Sequence, residues 1–307
     1  MKFLLFSDYH YYPKHYINHG FDGLHRLQKA AEEENCDMIL QLGDMTHGPT
    51  TVMDFVNEYN NFHIPSYNCL GNHDTELCSR DEAVKAYNMP SHHYCIDKGG
   101  YRFIIADTSY YKDGDKFVAF DKTNYFAFPE TRETLPDEEI EFIRSSIETS
   151  PYPCIICTHA SFERYNSVKN RQMVLDIIDK ANEKNPHSVI MCMNGHHHKD
   201  NINIRNNVIF YDVTSSIFDC AGCPPTPPHN KYKKEDYEEY CYAGYIVCCN
   251  DPLYSVVTLE GTTVTIKGCE PSSMYMGVSL KDVGYKEYDC MGRAFVPFVT
   301  SAKITLG

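Results

Sequence analysis

Five short polar motifs, each closing an apolar run, constrain this chain more than any other feature: Asp8-Tyr9-His10, Gly43-Asp44, Gly71-Asn72-His73-Asp74, Thr158-His159 and Gly195-His196-His197-His198. The runs they close, Lys2 to Ser7, Met38 to Leu42, Ser66 to Leu70, Cys154 to Cys157 and Val189 to Met193, read as short buried strands, as does Phe103 to Ala106. Strands that all end in ligand-type side chains gather those side chains along one sheet edge. Helical patterns fall between them. Phe21 to Asn35 repeats Leu24, Leu27 and Ala31, and Pro136 to Thr149 opens with a proline and three acids before Ile140, Phe142, Ile143 and Ile147. Val168 to Lys184 is a third helix candidate.

This alternation predicts an α/β chain with helices on the sheet faces. After Gly195 the rhythm changes to strands at Asn207 to Ser215, Gly244 to Cys249, Tyr254 to Glu260 and Thr262 to Lys267, the last two joined at Glu260-Gly261 as a hairpin. A second sheet packed on the first is expected, giving a four-layer α/β/β/α sandwich of two packed mixed sheets. One domain would run over residues 1–268. Within it the proline-rich and charged segment 219–240 reads as a loop or lid, and 269–307 is an extension without assigned structure.

Bulk properties narrow the partners. With 307 residues, 42% of them hydrophobic, the chain is long enough for a sizeable core. A net charge of −14 disfavours a nucleic-acid polymer, and the one basic knot, Lys231-Tyr232-Lys233-Lys234, runs straight into acids. Bound divalent metals invert the local sign, so a small anionic substrate stays open. No window approaches the roughly 18 to 20 apolar residues that cross a bilayer, and the apolar start is a first strand too short for a signal peptide. Fourteen scattered cysteines therefore read as reduced thiols in the cytoplasm. Oligomeric state stays open.

Two residues apart at a strand end, Asp8 and His10 share a face and can converge on one cation, while Gly43 lets the backbone approach closely and the Asp44 carboxylate has two oxygens with which to bridge two ions. An asparagine oxygen at Asn72 suits a hard metal, and the adjacent His73 is left over for proton transfer. His196 and His198 can reach different ions from one strand end.

In this order the motifs resemble the calcineurin-like metallophosphoesterase family, over about residues 1 to 218. The resemblance implies that Asp8, His10 and His198 hold one metal, that Asn72, His159 and His196 hold the other, and that Asp44 bridges them. It makes His73 the general acid and Asp74 the partner that orients it. Two manganese, iron or zinc ions, or a mixed pair, are implied, with hydrolysis by water attacking phosphorus in line with the leaving oxygen. His47 stands where purple acid phosphatases carry a tyrosine ligand, and Leu70 where the serine/threonine phosphatases place an arginine. What remains is similar to bacterial class III cyclic-nucleotide phosphodiesterases, including a hairpin at Tyr94 to Asp97 and Tyr101 to Asp107. A small phosphodiester such as a cyclic nucleotide is thus the expected substrate. The alternatives are a phosphomonoesterase on a small metabolite and a non-catalytic metal-bound scaffold.

Further substrate-contact candidates are Asn72, His47, His197, and Arg164 and Arg171, whose guanidinium groups suit phosphate. His92 and His93 read as turn surface. Cys154 and Cys157, three apart on a strand, should face opposite sides of the sheet. Some of the 24 tyrosines are expected to wall a pocket, without a sequence signal for which.

Overall fold

The computed structural model describes residues 1–225, 227–285, 288–289, 292–293 and 295–307. Its early apolar runs become β1 (Lys2–Phe6), β2 (Met38–Gln41) and β3 (Ser66–Asn68), parallel to one another. Further along are the hairpin of β4 (Tyr94–Lys98) and β5 (Tyr101–Ile105) and a smaller one of β6 (Tyr110–Asp113) and β7 (Lys116–Ala119). Next come β8 (Cys154–Cys157), β9 (Val189–Asn194), β10 (Asn201–Arg205) and β11 (Val208–Asp212). The last third adds β12 (Phe218–Cys220), β13 (Ile246–Cys248), β14 (Ser255–Glu260) and β15 (Thr263–Gly268).

Two six-stranded sheets result, but they do not divide at Gly195. The first has the order Ala302–Thr305, β15, β14, β1, β2, β3, and the second β10, β11, β9, β8, β5, β4. Thus the late hairpin joins the first three strands, while β5, β8 and β9 leave them for the second sheet. The residues beyond 269 are not an appendage to this architecture, because Ala302–Thr305 pairs antiparallel with β15 at the sheet edge.

Side-chain parity explains the layering. Phe103, Ile105, Ile155, Cys157, Met191, Met193, Ile209 and Tyr211 point into the core between the sheets, where the Phe3 and Phe103 rings meet edge-on at 5.4 Å. Their strand neighbours Ile104, Cys154, Ile156, Cys192 and Phe210 point outward into a second core. That outer core is covered by α4 (Asp137–Glu148) through Ile140, Ile143 and Ile147, and by α5 (Arg171–Lys184) through Val174, Leu175 and Ile178. On the far side, α1 (Gly20–Glu33) buries Leu24, Leu27 and Ala31, the i, i+3, i+7 stripe of an amphipathic helix. Beside it α2 (Met53–Asn60) buries Phe55, Val56 and Tyr59. A short α3 (Arg80–Ala86) opens on a Ser79–Glu82 capping box. Cys154 and Cys157 do lie on opposite faces of the second sheet. Segment 219–240 is not simply a loop, since it contains part of β12 and the helix α6 (Lys234–Glu239). Among the described residues no helix is long and apolar enough to cross a membrane, and every described cysteine is a free thiol.

Candidate metal centre

Because β1, β2, β3, β8 and β9 run parallel within their sheets, the residues just past their carboxyl ends meet at one edge of the sandwich. The loops are laced together there. Asp8 N–H donates to Gly43 O at 3.0 Å, His10 N–H to Asp44 O at 2.9 Å, and Gly195 N–H to His159 O at 3.1 Å. One link crosses between the sheets: His196 N–H donates to Asp8 Oδ2 at 3.1 Å.

Backbone conformation sets this edge apart. Asp8, His10, Asp44, His196 and His198 all have positive φ, between 51° and 69°. A non-glycine residue in that region costs roughly 1–3 kcal/mol and persists only where its surroundings hold it, and such residues collect at functional sites. Two glycines make room. A Cβ on Gly43, which has φ +97°, would lie 2.3 Å from His159 Nδ1, and one on Gly195 would lie 1.9 Å from Ser7 Oγ and 2.4 Å from Asp8 Oδ2.

Two clusters of ligand atoms form. In one, His198 Nε2 is 3.1 Å from His10 Nε2 and 3.3 Å from Asp8 Oδ1. In the other, His159 Nε2 is 3.0 Å from Asp44 Oδ2 and 3.2 Å from His196 Nδ1. His159 Nδ1 faces the Leu42 carbonyl oxygen at 2.7 Å, and since that oxygen only accepts, Nδ1 donates to it and Nε2 is the nitrogen turned toward Asp44 and His196 as the candidate ligand atom. Asn72 Oδ1 is buried without a hydrogen-bond partner, while its amide faces the Tyr125 hydroxyl at 3.4 Å. A buried acceptor left unpaired beside two nitrogen-and-carboxylate sets fits a pair of cations.

Charge is concentrated here. Burial opposes ionisation of Asp8, yet His198 and the hydrogen bonds from His10 and His198 hold its carboxyl well below the usual range. Burial drives His10 down to about 3, which keeps it neutral. Burial also works against His159, but Asp44 raises it to about 10.

His73 stands at the mouth of this centre with 27% of its side chain exposed. Its expected partner is corrected by the geometry. Asp74 does not reach His73. Fully buried, it accepts from Asp44 N–H and Gly71 N–H at 2.9 Å each, Thr46 N–H at 3.2 Å and the Tyr87 hydroxyl at 2.6 Å, and so shapes the ligand loops. Glu76 takes the expected place, with Oε1 2.9 Å from His73 Nδ1 and Oε2 2.7 Å from His47 Nδ1. Burial by itself would lower His73, but Asp44 and Glu76 raise it to about 9.

Other candidates sort as follows. His47 Nε2 lies 3.2 Å from His10 Nδ1, behind a ligand and at the cavity wall. His197 is also in the cavity wall, and burial holds it neutral with its pKa lowered to about 2. The arginines do not form a phosphate clamp. Arg164 is buried with its Nε 3.0 Å from Asp212 Oδ2, and Arg171 donates to the Phe162 and Glu163 carbonyls. Sequence reasoning missed Glu76, Glu133, whose Oε1 is 3.2 Å from His196 Nε2, and Asp219, which faces His198 Nδ1 at 3.9 Å. Only Glu76 had a signal, its i, i+3 spacing from His73.

Two cavities of about 510 and 290 Å³ adjoin the centre and share Tyr16 and His73. The larger is walled by Tyr12, His15, Tyr16, His47, Phe126 and Tyr242, and the smaller by His197, Phe218, Asp219 and Cys220 beside the ligands. Segment 219–240 and the residues around it thus supply part of the wall, with Phe218 stacked on Tyr16 at 4.7 Å. Among the described residues lining either cavity there is no lysine or arginine.

Residues 1–200 match the calcineurin-like phosphoesterase family. Among solved structures the chain is similar to a dimetal phosphatase from Danio rerio, at 13% identity and a TM-score of 0.62 over 100% of this chain and 99% of that one. It is also similar to GAP50, the anchor in the inner membrane complex of Plasmodium, at 12% identity and a TM-score of 0.55 over 100% and 89% of the two chains. None of the curated proteins matches it in sequence. Fold, motif order and the match over residues 1–200 agree: the chain belongs to the calcineurin-like phosphoesterase family and is a metal-dependent phosphoester hydrolase.

Proposed function

We propose that this hydrolase cleaves a small phosphodiester whose leaving alcohol carries a flat ring, a cyclic nucleotide being the type case. The observation behind this reading is the make-up of the cavity wall: tyrosines and Phe126 beside His73, a carboxylate at Glu76, and no described lysine or arginine. A guanidinium or ammonium beyond the metals would favour a dianionic monoester over a monoanionic diester, and none is found among the described residues of this wall. Tyrosine faces suit a nucleobase because every base has a π-face.

In this assignment Asp8, His10 and His198 would hold one ion, Asn72, His159 and His196 would hold the other, and Asp44 would serve both. Mixed nitrogen and oxygen donors suit manganese, iron or zinc. Lewis acidity toward phosphoryl oxygens and toward water is the chemistry such a pair supplies when bound. His73 does the proton work. Its Nδ1 is held by Glu76, so Nε2 is the nitrogen that gives its proton to the leaving oxygen as the P–O bond breaks. Glu76 keeps the imidazolium charged until that moment, and His47 braces both Glu76 and His10. The tyrosines and Phe218 orient the organic part and keep water from it. The free thiols suit a reducing compartment such as the cytoplasm.

The test is to load the protein with manganese, count bound ions, and compare a chromogenic diester with the matching monoester for wild type and His73→Ala. Two ions, faster diester turnover and a loss of about 10²-fold or more in the variant are expected. Faster monoester turnover would overturn the diesterase reading, and two ions without turnover of any ester would leave a scaffold.

A further inference from the structure

Away from the metal pair, a second group of ligand atoms lies between the turn before β4 and the first turn of α4. His92, His93 and Glu139 each offer one ligand atom, and the three atoms all lie within 4.8 Å of one another. No side chain is shared with the dimetal clusters. Glu139 is buried inside the amino-terminal turn of α4, and its two oxygens are differentiated: Oε1 accepts from Asp107 N–H at 2.8 Å, while Oε2 faces His93 Nδ1 at 2.8 Å and His92 Nε2 at 3.9 Å. The His93 ring lies flat on Phe142, 3.9 Å between centroids and 2° between planes. One helix therefore supplies both a ligand and the surface that fixes a second ligand's ring.

We infer that His92, His93 and Glu139 bind a third transition-metal ion, independent of the dimetal centre, with zinc the ion of choice. Ligand bonds of about 2.0–2.2 Å around a tetrahedral ion put donor atoms roughly 3.4 Å apart. From 2.8 Å, His93 Nδ1 has to move out by about half an ångström, which a slide in the plane of its stack on Phe142 allows, and from 3.9 Å His92 has to move in by about as much, by rotation of a partly exposed ring. Two imidazoles and one carboxylate are the donor set of open zinc sites, and the exposed side of the rings leaves water to complete the shell. The hydrogen bond from Asp107 N–H aims the carboxylate, as outer partners do at metal sites.

Charge supports a cation here. Asp107 is fully buried, and its Oδ2 has no hydrogen-bond partner. Arg80 offsets it in part, with NH1 3.5 Å from Asp107 Oδ2 and 2.7 Å from the Tyr110 hydroxyl. Glu139 adds a second buried carboxylate, with two histidines at its rim, and its hydrogen bond to His93 raises that imidazole's pKa while burial raises its own.

The experiment strips the full chain with chelator, reloads it with zinc, and counts ions per chain for wild type, His92→Ala and Asp44→Asn, with an anomalous map of wild-type crystals at the zinc edge. Wild type should hold one ion more than His92→Ala, and the map should show a peak between His92, His93 and Glu139. His92→Ala should keep its melting temperature in chelator and its ester turnover within about twofold, because His92 touches neither cluster of the reactive centre. Asp44→Asn should keep the third ion whether or not the dimetal assignment holds, so the two readings fail separately. Equal ion counts in wild type and His92→Ala, or a map without that peak, would overturn the inference and leave His93 and Glu139 as a plain hydrogen-bonded pair. If His92→Ala does not fold, the wild-type map alone decides.

Discussion

Replacing Glu76 by glutamine tests the proton chemistry most sharply. Glu76 is mostly buried and lies 2.9 Å from His73 Nδ1, so its charge favours the imidazolium directly. An opposite charge within about 4–6 Å shifts a pKa by about 1–3 units, and Asp44 supplies part of the effect on His73. Loss of the charge should therefore lower the His73 pKa by about 1 to 2 units. The acid form of His73 is the active one, present below its pKa and lost as pH rises through it. In wild type that pKa is raised to about 9, with Asp44 and Glu76 outweighing burial. The alkaline limb of the kcat profile for a diester should accordingly fall at lower pH in Glu76→Gln, by the same 1 to 2 units. Below both values kcat should change little. Bound ions shift wild type and variant alike, so the difference isolates Glu76. An unmoved limb with kcat depressed at every pH would refute the argument and make Glu76 a packing residue.

Three further outcomes are expected. Asp74→Asn forces an amide donor against backbone N–H donors, which should cost about 1–3 kcal/mol in urea unfolding while leaving the alkaline limb in place; a moved limb would restore Asp74 as the partner of His73. Tyr242→Ala should raise KM for an aromatic diester by about 5- to 100-fold, from a stacking contribution of roughly 1–3 kcal/mol, and leave a simple alkyl diester unaffected. Equal effects on both diesters would remove the stacking role. Gly195→Ala drives a Cβ into Ser7 and Asp8, and metal affinity measured by competition with a chelator should weaken by more than about tenfold. Unchanged affinity would mean that the loop has room to spare.

The ligand motifs were legible because each sits where a strand must end, and a parallel strand's end is the same place whatever sheet it joins. The partition of strands was not. Runs such as Cys154–Cys157 and Met38–Gln41 are both apolar, and only the pairing of β8 with β5 and of β2 with β1 separates them. Glu133 and Asp219 were unreadable for a related reason, since a single carboxylate in an irregular segment or in a three-residue strand such as β12 shows no periodicity. Arg164, in the loop after β8, misled because its partner Asp212 lies far along the chain on β11, and nothing local distinguishes a neutralised guanidinium from a free one. The pocket tyrosines come from the segment after β1 and from the residues following α6, which only the folded chain brings together.

Each candidate ion draws its donors from both sheets. Asp8 and His10 follow β1 and His198 follows β9, while Asn72 follows β3 and His159 follows β8. Such an ion would be a removable cross-link that closes a long loop, residues 8–198 for one ion and 72–196 for the other, and closing loops of about 100 residues or more is worth roughly 5 kcal/mol of unfolded-chain entropy. Metal supply then sets how long the folded molecule persists as well as how fast it turns over.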